Sequence, residues 1–188
     1  MGELRHPDLP ACVYRACDYN LRVKKDDQQA HVERVAQELW ERGSLQIPGG
    51  SDAVVGSAVA VRDWSGGLHS WVVPLTIGAK LVAWAQFSPQ YTLQRFSIFL
   101  RRETELNRCP NAADWLDPSV VEGRVREKAG PDVRLSTPIL TFDRDPSRLV
   151  WATVVRDTSG SSQRWFVAGE SVWQDPGIDE VTGGSASL

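Results

Sequence analysis

Residues 58–73 read AVAVRDWSGGLHSWVV, and residues 152–167 come back to the same pattern as ATVVRDTSGSSQRWFV. Aligned without gaps, the two agree at Ala58/Ala152, Val61/Val155, Arg62/Arg156, Asp63/Asp157, Ser65/Ser159, Gly66/Gly160, Trp71/Trp165 and Val73/Val167. Each reads as a β-hairpin. Val59 and Val61 alternate with other side chains on the way in, and Trp71 and Val73 share a face on the way out, the period of two that marks a half-buried strand. Between them, Asp63 and Asp157 are placed to accept hydrogen bonds from N–H groups two residues on, and Gly66 and Gly160 admit the positive φ such loops need. Duplication of one segment and convergence on one hairpin recipe both account for the match.

Working outward, Asp27 to Arg42 is predicted as a helix. Val32, Val35, Ala36, Leu39 and Trp40 recur at three- and four-residue spacing, Asp26 or Asp27 serves as cap, and Gly43 follows the last turn. Tyr19 to Lys24 alternates and reads as a strand, Ser44 to Asp52 as a connector, and Lys80 to Phe87 as the third strand of a meander. Tyr91 to Arg108 fits helix and strand alike and is assigned to helix. Pro118 to Ala129 is a second helix, with Asp117 as cap, Pro118 at its first position and Gly130-Pro131 as stop. Val133 to Phe142, Leu149 to Asp157 and Arg164 to Trp173 read as strands, and 175–188 as a flexible tail. The expected fold is therefore α+β: antiparallel meanders covered on one face by two or three helices. Residues 1–174 form one domain, in which 18–87 and 114–174 are two pseudo-repeats. This order of elements resembles helix-on-meander modules such as cystatin-like and PepSY-type domains. The resemblance implies an arrangement of elements and carries over no functional residue.

The composition is that of an ordinary globular chain, 41% hydrophobic and 24% charged. A net charge of -3 argues against nucleic acid as partner, although aromatics and arginines interleave from Tyr91 to Arg108. Seventeen arginines stand against four lysines, an imbalance that GC-rich coding also produces. Cys12, Cys17 and Cys109 leave one thiol odd under any pairing, and the first residues lack the apolar core of a secretory signal, so a cytoplasmic setting is expected. No run of residues is long and apolar enough for a membrane span.

His6, His31 and His69 have no companions at metal-ligand spacing, and no nucleotide, dinucleotide or hydrolase signature occurs. Asp143 to Ser147 opens like a calcium loop, but Arg148 and Val154 stand where Gly and Glu are required. No metal, cofactor or catalytic residue is therefore assigned. The eight tryptophans are the stronger lead. Trp64 sits at a hairpin tip where the second copy has Thr158, and Trp84 lies opposite Leu81, Ala83, Ala85 and Phe87. Either, left exposed, supplies a rigid anchor. The expected function is binding of a protein, peptide or small ligand through a sheet face or hairpin tips, with Trp64, Arg62, Trp84, His69 and Arg156 as candidates, as a monomer or homo-oligomer. The alternative is an enzyme whose site assembles between the hairpins from Asp63, His69, Asp157 and Arg156.

Overall fold

Helix α1 runs Cys12–Glu41 in the computed structural model, which describes residues 12–143 and 145–175, with backbone alone at 12–26 and 145–147. The predicted stripe is its buried side: Val32 and Ala36 are fully buried, with Val35, Leu39 and Trp40 packed beside them. Gly43 ends the helix with φ +70°, its N–H reaching the Trp40 carbonyl. The expected strand at Tyr19 to Lys24 is instead part of this helix. Six alternating residues are a short signal, and the good helix formers Arg22, Lys24, Lys25 and Gln28 extend the helix through it.

The strands follow as β1 (Val54–Val55), β2 (Val59–Arg62), β3 (Leu68–Ile77), β4 (Lys80–Phe87) and β5 (Leu93–Ile98). Then come a 3-10 turn (Glu103–Arg108), α2 (Ala112–Leu116) and α3 (Pro118–Ala129). The chain continues as β6 (Arg134–Leu135), β7 (Ile139–Asp143), β8 (Asp145–Arg156), β9 (Ser162–Ala168) and β10 (Ser171–Gln174). Residues 91–108 are thus a strand and a 3-10 turn rather than a helix, because β4 offers Ala83, Ala85 and Phe87 as partners for Ile98, Phe96 and Leu93. The predicted strand 133–142 breaks before Pro138, and Gly169, at φ +56°, divides 164–173 into β9 and β10. Both hairpins form, as does α3, whose Asp117 accepts from the Ser119 N–H at 2.8 Å.

All ten strands join one sheet in the order β10-β9-β8-β7-β2-β3-β4-β5, with β1 on β3 and β6 on β8. Every ladder is antiparallel except β2 with β7, registered at Val61 and Leu140. The pairing recurs at a spacing of 80 residues, Trp71 to Trp151. Val59↔Val72 and Ala60↔Trp71 return as Ile139↔Ala152 and Leu140↔Trp151, and Val55↔Leu75 returns as Leu135↔Val155. Trp71↔Phe87 and Val73↔Ala85 return as Trp151↔Val167 and Thr153↔Trp165. The similar hairpins β2–β3 and β8–β9 therefore do not hold equivalent places in the sheet, since β2 corresponds in register to β7. Their likeness is local. Asp63 Oδ1 accepts from Ser65 Oγ (2.6 Å), Ser65 N–H (2.9 Å) and Gly67 N–H (2.8 Å), and Asp157 Oδ1 accepts from Ser159 Oγ (2.7 Å) and Ser161 N–H (2.9 Å).

Helix α1 packs on Trp71, Val73, Ala85 and Phe87, whereas the α3 residues Val121 and Val125 pack with Val61, Val72, Leu140, Trp151, Val155, Trp165 and Val167. Trp71 and Val72 are neighbours in one strand and point to opposite sides. The helices thus cover opposite faces, not the single face expected. The cause is the parallel β2–β7 junction: an axis lying along those strands carries one meander onto the other and exchanges the faces. None of the helices among the described residues is long and apolar enough to cross a membrane.

Candidate functional site

Each helix covers its own meander, so among the described residues β7–β10 carry no helix on the side away from α3. Alternation along β8 puts Val150, Ala152, Val154 and Arg156 on that side. Their registered neighbours complete three rows: Ile139–Ala152–Phe166, then Val154–Arg164, then Arg134–Arg156–Ser162. Phe166 is buried with Val150 and Ala152, and Ile139, Ala168 and Trp173 pack on them.

Onto this layer reaches Trp64, from the tip of the other meander's hairpin. Its ring meets Phe166 edge-on, with centroids 5.9 Å apart, and the Arg164 guanidinium lies 4.2 Å over the indole. Trp64 stays 49% exposed and Val154 41%. A trough of about 200 Å³ opens between Trp64, Ile139, Ala152, Val154 and Arg164. A second, of about 410 Å³, continues it past Ser136 and Val154 to Arg134 and Arg156.

The turn that carries Trp64 is rigid for local reasons. Asp63 gathers three donors, Arg62 Nη1 donates to the Gly66 carbonyl at 2.7 Å, and Gly66 takes φ +86°. The serine hydroxyl on each carboxylate, helped by backbone N–H groups, holds Asp63 and Asp157 below the ordinary carboxylate range. A lowered folded pKa contributes stability that is fully present above the unfolded value and lost as pH falls through the folded one. The double variant Asp63→Asn/Asp157→Asn is therefore expected to lose less melting temperature than the native chain below about pH 4. Melts at stepped pH check this, and parallel curves for the two proteins would refute it.

Of the residues singled out from sequence, Trp64 and Arg156 lie on the open face, and Arg62 holds the turn under Trp64. Trp84 is half-buried: it meets Phe99 and Trp115 edge-on at 5.3 and 5.9 Å. His69 lies edge-on to Phe142 at 4.5 Å, a packing contact between the meanders. Asp63 and Asp157 are engaged inside separate turns, and no described contact brings either together with Arg156. Cys109 is buried, which pushes its thiol pKa up and makes it a poor nucleophile. No group of three His, Cys, Asp or Glu side chains with metal-binding geometry occurs among the described residues. Sequence reading missed Arg134, Val154, Arg164 and Phe166. Two of them were within reach, because the alternation that buries Trp165 and Val167 sends Arg164 and Phe166 to the other side.

Protein-family models, curated proteins and solved structures all give no match.

Proposed function

We propose that this chain is a non-catalytic binding protein that takes its ligand on the face of β7–β9 away from α3, with Trp64 as the anchor. One observation carries the reading. A half-exposed tryptophan is held by a rigid turn and an arginine stack above a trough in which Ile139, Ala152 and Val154 alternate with Ser136, Thr137 and Thr153. Large preorganised aromatics bind at low entropic cost, and exposing one on an apolar layer costs solvation that a ligand recovers. The shared layer that joins Val61 and Val72 to Leu140 and Trp151 supports reading the two meanders as one domain. The constant 80-residue register supports descent of β1–β5 and β6–β10 from one ancestral unit.

Amide and indole NMR spectra recorded against a set of small aromatic and aliphatic fragments test the function. Shifts are expected to gather on residues 136–139, 152–154 and 164–166 and on the Trp64 indole. Trp64→Ala is expected to weaken binding about tenfold with the fold unchanged. Shifts that scatter over the surface, or affinities that Trp64→Ala leaves alone, would remove the proposal.

A further inference from the structure

The far end of the trough is built from two opposed cations. Arg134 and Arg156 are direct register partners on β6 and β8, and both are exposed. Like charges placed opposite one another across a ladder disfavour the pairing. Neither has a carboxylate within ion-pair distance among the described residues, in contrast to Arg164, which pairs with Asp175 at 3.4 Å, and Arg148, which pairs with Asp143 at 3.4 Å. Arg156 is held in place by donating from Nε to Ser162 Oγ at 3.2 Å, a bond that does not use its terminal nitrogens. The corresponding positions 80 residues earlier are Val54 and Thr76, so the cation pair belongs to the second meander alone.

From this we infer that the trough takes an amphiphilic anion: a small molecule with a flat or apolar body and one carboxylate or phosphate head. The inference rests on the binding face proposed above and adds the ligand's chemistry. The body lies over Val154 and Ala152 against Trp64. The head sits between the Arg134 and Arg156 guanidinium groups, one row further along, roughly 7 Å from the Val154 row at the rise of an extended strand. Guanidinium forks fit both oxyanion types, and an anion placed between them offsets the repulsion between the two cations. Overall net charge is negative, so the attraction is local and belongs to this end of the trough.

The test titrates the full chain with four naphthalene probes that share one body: 2-naphthoate, 2-naphthyl phosphate, 2-naphthylmethanol and 2-naphthylmethylammonium. Binding is read by the Trp64 indole signal and by calorimetry. Both anions, or one of them, are expected to bind about tenfold more tightly than the alcohol at low salt, with the ammonium weakest. The preference should shrink as salt rises to about 0.5 M. Whichever anion binds more tightly identifies the head group. In Arg134→Gln/Arg156→Gln the anions should fall to the affinity of the alcohol, whose own binding is unchanged, while Arg126→Gln, a control outside the trough, keeps the full preference. Equal binding of anion and alcohol at Trp64, or an anion preference that survives the double substitution, overturns this inference and leaves the binding face standing. If none of the four probes shifts Trp64, the binding face falls with it.

Discussion

Replacing Trp71 with alanine is expected to lower unfolding free energy by about 3–5 kcal/mol, the cost of emptying a large aromatic site that cannot collapse. Trp71 is 1% exposed and stands between Ala60 and Phe87 in the sheet, with the Val32–Ala36 side of α1 packed over it. It is the residue on which the helix and three strands converge. For a chain of this length the loss corresponds to a melting point lower by about 6–20 °C. Trp71→Phe separates ring volume from the indole N–H, which finds no acceptor among the described residues. Dropping an unsatisfied donor offsets part of the lost volume, so the phenylalanine variant should cost less than about 1.5 kcal/mol. Urea unfolding of the three proteins checks both numbers. An alanine variant within about 1 kcal/mol of native would mean that α1 does not cover this face.

Leu140→Asp is expected to be more damaging still. Leu140 is buried, its parallel partner is Val61 and its antiparallel partner Trp151, and it lies in the layer under α3. The β2–β7 ladder holds one registered pair, so most of the attachment between meanders is this apolar layer, and a carboxylate there has no cation to meet. The cost should exceed about 4 kcal/mol, a large part of the 5–15 kcal/mol that keeps a domain folded. Unfolding followed by tryptophan fluorescence and by circular dichroism should lose its coincidence as the meanders separate, whereas Leu140→Ala should cost about 2–5 kcal/mol and stay cooperative. Coincident, native-like transitions for Leu140→Asp would contradict the junction.

Both experiments address long-range features, and those were the least legible in the chain. The hairpins, the α3 cap at Asp117 and the Val32 to Trp40 stripe could be read because each is decided within a few residues, by alternation, by a carboxylate two positions from an N–H, or by helical spacing. The match between 58–73 and 152–167 was real but reported shared turn chemistry. The recurrence that organises the sheet links Trp71 to Trp151, and almost nothing else in side-chain identity marks it, because register constrains which side faces a helix and not which residue does so. The fate of 91–108 was open for the same reason. Phe96 and Leu100 satisfy either period, with Leu93 completing the helical pattern and Ile98 the strand pattern, and only the edge of β4 decides.

The candidate site divides in the same way. Residue order alone determined that Trp64 would stand at the tip of a turn braced by Asp63, since every bond in that turn closes within five positions. That this ring would lie on Phe166 and Arg164, roughly a hundred residues downstream in the other meander, was decided by the parallel β2–β7 junction. So was the placing of α1 and α3 on opposite sides, which leaves one face of β7–β9 without a helix among the described residues. Strand alternation is a local property, whereas the face left uncovered depends on how the two meanders are joined, and that is settled only when distant apolar surfaces pack.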